Sequence, residues 1–147
     1  MDTPAVLSSQ ESRSKVVQLS SPGQPDAVTY GSAFSRGALI RQPDVSLIQV
    51  SGTAAIDERG ASLYPVDVRA QIDCTFDKIA ALIGPEGATL VDIAAACVFV
   101  KRPEDALAYQ ERAAARGLEN LPAVIMVADI CREELLFEMD AEVAFEP

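Results

Sequence analysis

The residues best suited to chemistry in this 147-residue chain lie near its end, where Glu138, Asp140 and Glu142 occupy alternate positions. A period of two puts their side chains on one face of a β-strand. Burial and neighbouring like charge both disfavour an ionised carboxyl and raise its pKa. Glu138 would then keep its proton near neutral pH and be able to donate it, which makes it the candidate general acid. The competing reading is a solvated strand carboxylate, or one half of an ion pair at an interface. Arg36 and Arg132 are the candidate anion clamps, because a dicarboxylate needs about two cations to offset its desolvation. Either arginine could instead pair with the abundant acids. Cys131 has no imidazole partner to activate it, so it is read as a pocket-lining or inert apolar residue and not as a nucleophile. Tyr30 and Phe34 would cover a planar ligand or simply pack, and Cys74 and Cys97 read as core or near-core filler.

Composition removes several alternatives. Histidine is absent, which excludes Ser-His-Asp and Cys-His catalysis and His-ligated zinc. The three cysteines form no Cys-x-x-Cys pair, so neither a zinc ribbon nor a redox motif is supported. No metal and no organic cofactor is implied. A formal net charge of −10, with 12 basic against 22 acidic residues, argues against nucleic acid or an anionic membrane as a partner. No apolar run reaches the ~18 residues of a membrane-spanning helix. The N-terminus lacks a basic start followed by an apolar stretch, so a cytoplasmic protein is expected.

These side chains need elements to hold them. Residues 1–26, rich in Ser, Gln and Pro, read as a flexible arm, and residues 27–147 as one domain. Ser46–Gly52 reads as a short strand stopped by glycine, and Ile56–Gly60 as a turn or small hairpin with Gly60 at its special-φ position. Asp67 is a plausible N-cap for a helix carrying Ile72, Phe76, Ile79, Ala80 and Ile83 on one stripe, ended by Gly84-Pro85. The second half of Asp92–Lys101 reads as a strand. Pro103-Glu104-Asp105 starts a second helix that stops at Gly117. Ala123–Asp129 and Leu135–Phe145 complete the strands. In the last one Phe137, Met139, Ala141, Val143 and Phe145 oppose the carboxylates. The expected architecture is α+β, a mixed sheet with two helices on one face. The other face carries three carboxylates and must meet solvent, cations or a polar subunit interface.

Five segments in this order resemble the RidA/YjgF family, across roughly residues 28 to 146. They are Leu47-Ile48-Gln49-Val50-Ser51-Gly52, Gln71 at the start of the first helix, Val98-Phe99-Val100, Pro122-Ala123 and Glu138-Met139-Asp140-Ala141. The resemblance implies a chorismate-mutase-like fold, a homotrimer, and pockets between subunits. It also implies hydrolysis of enamines or imines, with an Arg directly after Pro-Ala holding the substrate carboxylate. Val124 occupies that substrate-binding position here and cannot supply the paired, charge-assisted bonds of a guanidinium. Ordinary imine deaminase activity is therefore not expected.

Tyr30-Gly31-Ser32-Ala33-Phe34-Ser35-Arg36, Ser51-Gly52-Thr53-Ala54 and Ala128-Asp129-Ile130-Cys131-Arg132 through Glu138 are also similar to the C-terminal half of chorismatases. That second resemblance implies that Glu138 protonates an enolpyruvyl group, with Cys131 lining the pocket; Ser51 is read with Phe34 as a candidate substrate-binding residue. A chorismatase has an additional N-terminal half, so neighbouring subunits would have to supply its contribution. The expected function is acid-catalysed hydrolysis or lysis of an enol ether, enamine or imine on a small anionic metabolite, chorismate-like or 2-imino acid-like. The alternative is a non-catalytic small-molecule-binding or regulatory module of the same fold.

Overall fold

The computed structural model describes residues 15–31 and 33–147, with Tyr30 by its backbone alone. Its strands are β1 (Lys15–Leu19), β2 (Gly37–Arg41), β3 (Ser46–Thr53), β4 (Ile93–Val100), β5 (Ala123–Val127) and β6 (Phe137–Phe145). They form one sheet in the order β1-β2-β3-β6-β4-β5. All neighbours are antiparallel except β4 and β5, which run parallel through a helical crossover. The mixed sheet and two helices agree with the expected α+β class.

The helices are α1 (Val68–Ile83) and α2 (Asp105–Ala115). Asp67 caps α1 as expected, its carboxylate accepting from the Ala70 N–H at 3.0 Å. Ile72, Phe76, Ile79 and Ile83 face the sheet and are buried there. α1 ends at Ile83 with Gly84 as its C-cap, as expected; a 3-10 turn, Gly84–Glu86, follows, and Gly87 turns the chain at φ +89°. In α2, Tyr109 lies between Phe76 and Phe137, with ring centroids 6.2 and 5.9 Å away. Arg116 joins the two helices, reaching Asp73 at 3.1 Å and Asp77 at 2.8 Å while its guanidinium covers the Phe76 ring. The core cluster lies between this helical layer and the sheet, and β6 contributes Phe137, Met139, Ala141 and Val143 to it.

Three expectations need correction. The arm read as residues 1–26 overlaps ordered structure: Lys15–Leu19 is the edge strand, in register with Gly37–Arg41, and Leu19, Ser21 and Gln24 are buried. Residues 1–14 of that arm lie outside the described residues. The apolar Val16, Val17 and Leu19 were diluted by polar neighbours, and an edge strand needs only one partner to satisfy its backbone. The strand read as the second half of Asp92–Lys101 begins at Ile93. Finally, Cys74 and Cys97, read as core or near-core filler, are outside the core cluster and only partly buried beside it. Cys97 follows buried Ala96 and precedes buried Val98, so strand alternation turns it to the open face.

Among the described residues no helix is long and apolar enough to cross a membrane.

Candidate active site

Glu138 is the second residue of β6, pointing away from the helices between buried Phe137 and Met139. It is half-buried, and its carboxyl is held above the ordinary range, first by burial and then by the charge of Asp140. The three carboxylates of this face differ in their surroundings. Asp140 accepts from the Cys97 N–H at 3.1 Å, and Glu142 accepts from the Gln49 amide. None of the described residues donates a hydrogen bond to Glu138. A hydrogen bond to the charged form would lower its pKa, and that influence is missing.

The Glu138 carboxyl rests against the backbone of β3. A Cβ placed on Gly52 would lie 2.5 Å from Glu138 Oε1, inside any tolerable contact. Gly52 therefore leaves the slot the Glu138 carboxyl occupies. Sequence reading took this glycine as a strand stop and a motif position, but β3 runs through it to Thr53, and nothing in its neighbours announces that a carboxyl on the third strand after β3 in sequence needs the space.

Around Glu138 is a cavity of about 450 Å³ lined by Phe34, Arg36, Ser51, Gly52, Ala54, Ile56, Cys131, Arg132, Leu135 and Glu138. It thus gathers Glu138, Arg36, Arg132, Cys131, Phe34 and Ser51, six residues selected from sequence. Arg36 is only 3% exposed. Its Nε donates to the Pro25 carbonyl at 3.0 Å, and its guanidinium lies 5.1 Å from the Phe34 ring centre. Ser51 Oγ donates to the Ser35 carbonyl at 2.6 Å, and Ser51 N–H to the Arg36 carbonyl at 3.1 Å. Ser51 thereby fixes the Phe34–Arg36 segment along β3. Arg132 donates through one terminal nitrogen to the Gly60 carbonyl and to Ser62 Oγ. Cys131 is exposed at the cavity rim. The apolar floor of Ala54, Ile56 and Leu135, a small cluster separate from the main core, was not anticipated, because these residues sit in turns without periodicity.

Two selected residues fall elsewhere. The Tyr30 side chain lies outside the described structure, as does Ser32 of the same segment. Val124, on β5, is 62% exposed and lines a neighbouring cavity with Gln49, Cys97, Pro122, Asp140 and Glu142. Only Ser51 and Gly52 border both spaces. The structure therefore separates Val124 from Glu138 within one chain: β4 stands between their strands.

No family model matches the chain. It is 30% identical over 128 residues to a chorismatase from Streptomyces hygroscopicus, an alignment covering 79% of this chain and 37% of that protein. The chain thus spans little more than a third of the length of the curated relative it matches. A chorismatase crystal structure superposes with a TM-score of 0.77 at 25% identity, over 88% of this chain and 44% of the other. A YjgF/YER057c/UK114 family member from Mycobacterium tuberculosis gives 0.68 at 21% identity, over 88% and 98%. Yeast Mmf1 gives 0.72 at 12% identity, over the same shares. The chain therefore has the RidA/YjgF fold and is similar in sequence to part of a chorismatase, as its motifs implied.

Proposed function

We propose that this chain is a cofactor-independent enzyme acting on a small anionic enol ether of the chorismate type, with enamines and imines as the neighbouring substrate classes. The observation that carries the reading is a half-buried glutamic acid, held above the ordinary carboxylate range, in one cavity with two arginines. Similarity to a chorismatase supports the choice of substrate. Arg36 and Arg132 would bind the carboxylates of the substrate, and Phe34 would lie against its ring. Glu138 would protonate the terminal carbon of the enol double bond, leaving an oxocarbenium carbon that water attacks. The resulting hemiketal breaks its ether C–O bond to release a ketone and an alcohol, and the proton lost by the water restores the acid. Proton donation of this kind contributes about 10²–10⁴-fold to rate.

The test is conversion of chorismate and related enolpyruvyl ethers by the wild-type chain and by Glu138→Gln. The amide keeps the shape and loses the transferable proton, so turnover should fall by roughly 10²-fold or more with the fold intact. Full activity in that variant would overturn the mechanism.

Assembly belongs to the same proposal. The open face carries Val124 and Met126 on β5, exposed apolar side chains beside the acidic ones, and the sheet ends there. A homotrimer would cover this face, bring the Val124 region of one subunit towards the Glu138 cavity of another, and supply walls that a single chain lacks. Sedimentation at micromolar concentration should give a trimer, and Val124→Asp should dissociate it; a wild-type monomer would remove the shared pocket. One observation favours a second reading, a binding module without turnover: exposed Val124 follows Pro-Ala where a carboxylate-binding Arg stands in the deaminases this chain resembles. Thermal stabilisation by aromatic and dicarboxylic acids, with none of them converted, would support it.

A further inference from the structure

We infer that Gln71, on the far side of the sheet from Glu138, is a positioning residue that sets the wall carrying Arg132 and Cys131 in register with the proton donor; as a statement about catalysis this rests on the function proposed above. Gln71 is in the first turn of α1 and is 0% exposed. Its amide nitrogen donates to the carbonyls of Glu134 at 2.9 Å, Tyr64 at 3.0 Å and Leu63 at 3.2 Å. Its amide oxygen accepts from the Leu136 N–H at 2.8 Å. Two N–H bonds are thus shared among three carbonyls, and both donor and acceptor capacity are spent on main chain.

Those main-chain groups belong to two loops. One, residues 54–64, carries Ile56 of the cavity floor; the other, residues 128–136, carries Cys131, Arg132 and Leu135. Each loop also holds the other, through Arg132 to Gly60 and Ser62 and through Ser62 Oγ to the Glu134 carboxylate at 2.9 Å. The apolar contact beneath them is small, Ala54, Ile56, Leu135 and Ile130. Lys101, the residue after β4, adds a tie to the Glu133 carbonyl at 2.8 Å, but it touches only the second loop. Among the described residues, Gln71 is therefore the side chain that fastens both loops to the helix. It also holds the carbonyl of Tyr64, which stands at φ +50°, a conformation that residues other than glycine seldom keep.

The geometry explains why the position is polar. A buried amide is costly unless its hydrogen bonds are made, and an apolar residue would serve α1 equally well as packing. What leucine or methionine would lack is a fixed separation between α1 and the Leu136 N–H, one residue before β6 and two before Glu138. That bond adds a tie to α1 beside the main-chain bonds from the Lys101 N–H to the Leu136 carbonyl at 3.1 Å and from the Ala128 N–H to the Val100 carbonyl at 3.0 Å. It is the one that fixes both loops at a set distance from the helix and so sets Arg132 relative to the acid.

The experiment is Gln71→Met, compared with wild type by residue-resolved hydrogen exchange, by labelling of Cys131, and by KM and kcat for whichever enolpyruvyl ether the wild type converts. The inference expects the Leu136 amide to exchange roughly tenfold faster or more and Cys131 to label faster. Amides in the middle of β3 and β4 should stay within about twofold of wild type, reporting an intact core. KM should rise more than kcat falls, because the clamp moves relative to the acid while the acid itself stays on its strand. Uniform acceleration through the whole sheet would reduce Gln71 to a stability residue, and unchanged exchange at Leu136, or loosened loops with an unchanged KM, would overturn the inference. If Gln71→Met fails to fold, Gln71→Glu decides: as the pH falls and the buried carboxyl takes up a proton, it regains a donor, and protection of the two loops should return. A wild-type chain that converts nothing would sink the proposed function, and the exchange pattern would still decide whether Gln71 fastens the wall.

Discussion

Strand β6 has two faces that follow opposite rules. On one, Phe137, Met139, Ala141 and Val143 are sealed under the helices and could be exchanged for other apolar residues of like volume at modest cost. On the other, Glu138, Asp140 and Glu142 share one chemistry, yet Asp140 and Glu142 accept hydrogen bonds while Glu138 has no donor among the described residues and its carboxyl is raised above the ordinary range by burial. On the first face the kind of residue matters and the order is forgiving; on the second, three like residues are made different by what surrounds each. Composition reveals the first arrangement, and only coordinates reveal the second.

The comparison is broken most severely by Phe137→Ala, which empties a fully buried site and should cost about 3–5 kcal/mol of stability, measured by denaturant unfolding. Glu138→Gln, one residue on, should act in the opposite sense on stability. A carboxyl with a raised folded pKa binds its proton more tightly than the unfolded chain does. Its favourable contribution is complete below the ordinary carboxylate range and is lost as pH rises through the raised value. The amide never ionises, so above that value the variant should be more stable than wild type while turning over less. Gly52→Ala should come next. Its Cβ would collide with Oε1, displacing the carboxyl and lowering turnover by roughly tenfold or more with little change in KM. The smallest effect belongs to Asp140→Asn, which removes the like charge and keeps the acceptor for Cys97. Burial of Glu138 remains, so the alkaline limb of the pH–rate profile should shift slightly to lower pH.

What could be read from the sequence, and what could not, follows the same division. The α1 stripe and its Asp67 cap, the entry to α2 (at Asp105, two residues past Pro103), and the alternation of β6 depend on neighbours within a few positions, and all were visible. The placement of Arg36, Ser51, Cys131 and Arg132 around Glu138 was reached through motif resemblance, since no local rule joins residues so far apart. Gly52 was read for its turn-forming habit, whereas its site role is the absence of an atom. Gln71 was noted only as a motif position, because its four partners come from two distant loops. Val124 was grouped with the rest by sequence position, but β4 stands between it and Glu138.

The strand order carries a consequence for how such a domain comes into being. In sequence β6 is the last of the strands, yet in the sheet it sits between β3 and β4. Until it arrives, the β1-β2-β3 meander and the β4-α2-β5 unit have no shared edge, and their joint core cannot close. Folding must therefore wait for contacts of long sequence separation, which are slow to form. A chain interrupted after Leu136 would have two unpaired interior edges open to other chains. Glu138 and the seam that joins the two halves arrive on the same nine residues, so no partly made molecule can hold that carboxyl in its half-buried slot.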